Sequence, residues 1–277
     1  IDLREDGGGS LQEAIELTGL FIKDGPVVQV KNSDGNIDVA KDPDPSILYD
    51  GPLAVLVNRF SASASEIFSG AIQDYGRGLI IGEQTYGKGT VQNLIDLNRL
   101  SSKKNLNLGQ VKLTIAKYYR VNGGSTQNLG VVPDISYPTM IDPKDFGESS
   151  ESTALPWDEI KSADFNKFSD LSKFIPKLNK KHLERISTNK DFQYLLEDIS
   201  IYKENKKKTF ISLNEEIRKQ EKLKDEQRKL ERDGKTEEQV DAELIDEEIP
   251  VIKKDKDDYI LNETAKIISD YILMTIG

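Results

Sequence analysis

The feature that most constrains the fold is a change of texture near Met140. Before it, short β-branched and apolar runs alternate with helical stretches and Gly-rich turns: VVQV (27–30), LAVLVN (53–58), GLIIG (78–82), VQNLIDL (91–97) and VKLTIAKYY (111–119). Strands interleaved with amphipathic helices bury their apolar faces against one another, so residues 1–140 predict an α/β (α+β) core, a mixed sheet flanked by helices. Residues 141–157 are rich in Asp, Ser, Glu and Pro and predict a linker or long surface loop. Lys and Glu dominate thereafter, and residues 158–277 predict a mostly α-helical C-terminal domain, with helices near 167–185, 190–207, 213–232 and 257–275. The last of these sets Ile260, Thr264, Ile267, Ile268, Tyr271 and Ile272 on one face. The stretch 213–232 has only Leu213, Ile217, Leu223 and Leu230 among dense charges, the pattern of a solvated helix with a narrow apolar stripe.

Composition narrows the chemistry. A formal net charge of −10 repels nucleic acid, so no nucleic-acid partner is expected. No apolar run approaches the roughly 18 residues that span a bilayer; PLAVLV (52–57) is the longest of note. The chain has no Cys, which removes disulfides, thiolate nucleophiles and zinc–thiolate sites together and leaves the redox compartment open. Its single His182 excludes any two-histidine zinc site, and within the polar run KKHLER it reads as a surface residue outside the chemistry. No metal or cofactor is expected. The chemistry falls to Ser, Thr, Lys, Tyr and carboxylates. Opening on Ile1 inside what reads as a strand, the chain is expected to be a piece of a longer protein, so the lack of a signal peptide in it says nothing of location.

Three segments carry candidate chemistry. In IDLREDGGGSLQEAIELTGLFI (1–22) a strand ends at Gly7-Gly8-Gly9, and Ser10 with Glu13 forms an S-x-x-E capping box. Such a turn either presents backbone N–H groups to an anion or is simply tight. In LAVLVNRFSASASEIFSGAIQDYG (53–76) Ser63 lies between a buried strand and a helix. With Glu66 it fits an ordinary N-cap, the reading this segment favours when taken alone, and the rival reading is a nucleophile on a sharp strand-to-helix turn. In GLIIGEQTYGKGTVQNLIDL (78–97), Gly82 to Lys88 matches GxxxxGK, but Gly89 stands where a phosphate-binding loop needs Ser or Thr, and a strand follows where that loop needs a helix. Nucleotide binding is therefore not expected. A lysine held in apolar surroundings loses its charge readily, so Lys88 is a candidate general base for Ser63.

The segments DLREDGGG (2–9), NRFSASASEIFSGAIQDYGR (58–77), IGEQTYGKGTVQ (81–92) and LGVVPDI (129–135) resemble, in order and spacing, the carboxyl-terminal processing or tail-specific proteases. The acidic helical half resembles the C-terminal extension of the larger members, on weaker motifs. The resemblance implies a serine endopeptidase with Ser63 as nucleophile, Lys88 as general base and Gln92 orienting that lysine by a hydrogen bond. It implies an oxyanion hole from the N–H groups of Gly9 and Ala64, and it matches Asp74 to a position the family needs, in a structural or a catalytic role. Asp6 stands where the family often has Asn, and its carboxylate is expected to face away from the oxyanion site. Ser61 and Ser65 are the rival nucleophiles, set aside only on spacing to Lys88. The implied substrates are polypeptides with apolar C-termini, captured in the family by a PDZ domain that precedes the Gly-rich turn and is not identifiable here. The implied location is the periplasm or cell envelope, where adaptor or lipoprotein partners stay open. The competing reading is a catalytically silent fragment that binds peptides.

Overall fold

The computed structural model of the chain describes residues 1–100, 107–233 and 258–276. Ser10 opens the first helix as its signature predicts: its Oγ accepts from the Glu13 N–H at 3.4 Å, and α1 runs Leu11–Gly19. The strands follow the apolar runs closely: β1 Pro26–Asn32, β3 Ala54–Val57, β4 Leu79–Gly82, β5 Thr90–Asp96 and β6 Gln110–Tyr119. Two more strands join them, β2 Ile37–Lys41 and the short β7 Ile135–Ser136.

The mixed character is divided between two sheets. β2-β1-β6-β5 is antiparallel throughout, and β3-β4-β7 is parallel. The parallel strands are almost continuously apolar because both of their faces are covered. Residues 1–3 extend that sheet beside β3, with Leu3 N–H donating to Leu56 O at 2.8 Å.

Helix α2, Ala64–Asp74, is buried along two faces. Ile67 and Ala71 pack with Ala14, Ile15, Val28 and Tyr118 toward the antiparallel sheet. Phe68 and Ile72, one position on, pack with Val55, Val57, Ile80 and Val131 toward the parallel sheet. A helix gripped on both sides has little freedom to shift, and its N-terminus carries Ser63.

Two compact units are present: Ile1–Leu183 with Glu263–Gly277, and Glu184–Asn262. Residues at the end of the expected linker and beyond it are fastened to the first unit. Trp157 Nε1 donates to Ser125 O at 2.9 Å, Ile160 N–H to Gly123 O at 2.9 Å and Phe168 N–H to Tyr75 O at 2.7 Å. The expected helix 167–185 starts late, as α3 Ile175–Ile186, with Pro176 in its first turn, where a missing N–H does no harm. The expected surface position of His182 is corrected. It is fully buried on α3, with Nδ1 2.9 Å from Glu263 Oε1 and its ring against Tyr137. Glu263 lies on the last helix, α6 Tyr259–Ile276, whose Thr264 also meets the Tyr137 hydroxyl at 2.8 Å.

The second unit holds α4, Lys190–Lys206, capped by Asn189, and α5, Glu215–Asp233, joined to α4 through Arg232 with Glu197 and Asp198. Ile217 and Leu223 are exposed, as a solvated helix requires, and Leu213 is exposed ahead of the helix. The side chain of Leu230, and residue 257 at the expected start of the last helix, lie outside the described residues.

Candidate active site

Ser63 is the N-cap of α2 with φ 59° and ψ −114°, a left-handed backbone that side chains other than glycine rarely adopt. Such strain costs of order 1–3 kcal/mol and persists only where the surroundings enforce it. The enforcement comes from Glu66. Its Oε2 accepts the Ser63 N–H at 2.8 Å and the Lys88 N–H at 3.0 Å, while Oε1 accepts the Gly87 N–H at 2.7 Å and the Thr85 hydroxyl at 2.6 Å. One buried carboxylate therefore ties the turn of Ser63 to the loop of Lys88, residues 25 apart in sequence. Burial pushes the Glu66 carboxyl up to about 7, and the four donors hold it from rising further. Tyr118 makes a second tie from β6: its hydroxyl donates to Lys88 O and lies 3.3 Å from Ser63 O. Burial pushes that phenol well above its usual range, so it stays a neutral donor.

The capping box brings the Glu66 carboxyl back onto the Ser63 N–H. The Glu66 N–H goes to the Ser63 carbonyl at 2.9 Å, and Ser63 Oγ makes no capping bond. The rival serines are both engaged. Ser61 is fully buried, donating to Leu3 O at 2.7 Å and accepting the Asn58 N–H at 3.0 Å. Ser65 is buried and donates to Asp6 O at 3.0 Å. Ser63 is the half-buried one of the three.

The Gly-rich turn lies directly on this serine. A Cβ on Gly8, whose φ is +88°, would stand 2.5 Å from Ala62 O and 2.7 Å from Ala64 N. The Gly8 N–H is spent on Asp6 Oδ1 at 3.0 Å, which gives that carboxylate a local partner in the turn. Gly9 is exposed with open space around its Cα, and among the described residues neither its N–H nor that of Ala64 has a protein acceptor. The turn is pinned to the serine loop by the Ala62 N–H, which donates to Asp6 O at 3.0 Å.

Lys88 is half-buried between Gly87 and Gly89 in the loop joining β4 to β5. A strand, β5, follows it where a phosphate-binding loop would run into a helix. Gln92 lies on β5. A bulge between Val91 and Gln92 shifts the register, and Gln92 is exposed with its amide 3.5 Å from Thr114 Oγ1. Asp74 sits at the other end of α2 from Ser63, 11 helical residues and therefore about 16 Å away. There it pairs with Arg120 and accepts from Asn122 Nδ2 at 2.8 Å, the arrangement of a structural ion pair. Among the described residues no group of three or more acidic or histidine side chains is placed to hold a metal ion.

Sequence reasoning passed over three participants. Glu66 was legible as the fourth residue of a capping box, which points to its helix and not to Lys88. Tyr118 carries no local signal. Gln127 is fully buried and accepts the Gly89 N–H at 2.9 Å, from a segment far along the chain.

The family model described as Peptidase family S41 matches residues 1–137, and that described as C-terminal domain of tail specific protease matches residues 141–273. The tail-specific protease of Haemophilus influenzae is 44% identical over 99% of this chain and 40% of its own length. The carboxy-terminal-processing protease of Bartonella bacilliformis is 41% identical over 49% of this chain and 30% of its own length. Among solved structures, the photosystem II D1 C-terminal processing protease is 36% identical over 52% of this chain and 34% of its own, with a TM-score of 0.43. The chain thus spans well under half the length of the curated relatives it matches. With these two models matched one after the other along it, the chain belongs to peptidase family S41, the carboxyl-terminal processing or tail-specific proteases.

Proposed function

We propose that the chain carries the hydrolytic centre of a serine endopeptidase that works through a Ser63–Lys88 dyad. The observation that carries this reading is the Glu66 carboxylate, which gathers the N–H groups of Ser63 and Lys88 onto one oxygen and so fixes a strained serine beside a lysine. Neutral Lys88 takes the proton from Ser63 Oγ as that oxygen attacks the scissile carbonyl carbon. The oxyanion is received by the unclaimed N–H groups of Gly9 and Ala64, the latter at the positive end of α2. The lysine ammonium then protonates the leaving amine, and an acyl-enzyme forms. Lys88, neutral again, activates the water that releases the acid. Loss of one oxyanion donor in such a site typically slows turnover by about 10²–10³.

The names of the relatives support a substrate chosen by its C-terminal end. We assign the chain polypeptide substrates with apolar C-termini and a place in the periplasm or cell envelope, where adaptor or lipoprotein partners would deliver them. The test is covalent labelling of the whole protein by a serine-reactive phosphonate, with the modified residue mapped by mass spectrometry. Label on Ser63, and no hydrolysis of an unstructured polypeptide by Ser63→Ala, is expected. Label on another serine, or full activity of that variant, rejects the dyad.

A further inference from the structure

Lys88 is flanked by Gly87 and Gly89, the residues least able to hold a backbone in one conformation. Its loop therefore needs anchors from outside. Glu66 supplies one at Gly87 and Lys88. The others come from an unexpected place, the segment 142–150 at the start of the C-terminal half.

Arg59 is the connecting piece. It is 1% exposed, and its guanidinium hydrogen-bonds to backbone carbonyls on two separate segments. On one side Nε donates to Phe146 O at 2.7 Å and Nη2 to Pro143 O at 3.0 Å. On the other, Nη1 donates to Thr85 O and reaches Gln84 O at 3.5 Å. Gly147 closes over it with φ +123°: a Cβ there would stand 2.1 Å from Arg59 Nη2 and 2.7 Å from Tyr86 O. The Glu148 N–H donates to Tyr86 O at 3.1 Å, and the Phe146 ring packs on Phe60 and Tyr86 at centroid distances of 4.9 and 5.7 Å. Past the lysine, Glu148 Oε1 accepts from Gln127 Nε2 at 3.1 Å, and Gln127 Oε1 holds the Gly89 N–H at 2.9 Å.

We propose that Arg59 and residues 142–150 form a clamp that positions the Lys88 loop, making the segment that leads into the C-terminal half a working part of the hydrolytic site. The proposal rests on the Ser63–Lys88 reading and adds positioning residues to it. A lysine at position 59 cannot replace the guanidinium, because three donors on one nitrogen cannot bridge carbonyls on opposite sides as a planar fork does. Residues 142–146 are largely at the surface, so loosening them leaves the two cores intact.

The test uses the whole protein with Arg59→Lys and, because a buried arginine change risks the fold, Phe146→Ala as a second variant. Three quantities are read: the rate of Ser63 labelling by a phosphonate, kcat and KM for a peptide substrate, and the melting temperature. Displacing a catalytic group by about 1 Å costs on the order of 10²-fold, so labelling and kcat are expected to fall by about that factor at unchanged KM. Phe146→Ala is expected to melt close to wild type, and Phe146→Tyr, which keeps both ring contacts, to restore the rate. Wild-type labelling and kcat in the folded Phe146→Ala protein overturn the clamp while leaving the dyad standing. Absence of Ser63 label in the wild type overturns the dyad and the clamp with it.

Discussion

A side-chain carbon on Gly8 would lie 2.9 Å from the Cβ of Ser63, closer than real side-chain carbons come. The Gly-rich turn and the serine turn are thus in contact along their backbones, and the space between them has been reduced to nothing. Gly8 also holds φ +88°, so an added Cβ there is strained twice over.

Gly8→Ala is therefore expected to push the two turns apart, lowering hydrolysis by about 10²-fold or more and destabilising the fold. Gly7→Ala is the control: nothing lies within 4 Å of its Cβ direction, and Gly7 has no part in the proposed site. It is expected to retain stability and most of its activity. Steady-state kinetics with thermal unfolding of both variants checks the pair, and equal effects would reject this packing argument.

The three serines separate by what their hydroxyls do. Ser63→Ala is expected to abolish hydrolysis with little change in melting temperature, since its Oγ makes no capping bond. Ser61→Ala leaves Leu3 O and the Asn58 N–H without their buried partner and is expected to lower stability by about 1–3 kcal/mol. Lys88→Arg is expected to be folded and inactive, because a guanidinium cannot give up its proton to act as a base. Substantial turnover by that variant would make Lys88 an electrostatic residue and place the base elsewhere.

Asp74 is expected to serve the stability of the core. Burial pushes its carboxyl up, against the pull of Arg120, and breaking one side of such a pair typically costs about 3–5 kcal/mol. Asp74→Ala should show a clearly lowered melting temperature. An unchanged melting temperature with lost activity would move Asp74 into the chemistry.

Much of this was legible in the chain because the signals were local. The five apolar runs became β1, β3, β4, β5 and β6, and Ser10-x-x-Glu13 opened α1 where it should. β2 escaped although its turn, Asn32 to Asn36 with Gly35 at φ +88°, carries the Asp-Gly signature of a hairpin. His182 failed for a different reason. Its polar neighbours describe the outer face of α3, while the partner that buries it, Glu263, is 81 residues away. Gln127, Tyr118 and Arg59 share that condition: each acts through backbone groups of distant segments, which leave no spacing to read.

The last prediction follows from the proton on Glu66. Burial raises its carboxyl from the ordinary value of 4.5 to about 7. Below pH 4.5 the folded and unfolded chains both hold that proton, and the group contributes nothing to the pH dependence. Between 4.5 and 7 the unfolded chain has released it while the folded chain keeps it, so the folded state binds more protons and stability falls as pH rises. Above 7 both are ionised and the slope ends. A shift of this size corresponds to about 3 kcal/mol across the window. Glu66→Gln removes the titration, so the wild type should lose stability relative to the variant between pH 4.5 and 7 and run parallel to it on either side. The amide also offers one oxygen to four donors where the carboxylate offers two, so the variant should be slow at every pH, by about 10²-fold if the Ser63 and Lys88 backbones separate. Denaturant unfolding of both proteins from pH 4 to 8 makes the measurement. Parallel curves throughout would mean that the carboxyl is already ionised in the fold, stabilised by its four donors at the cost that burial imposes.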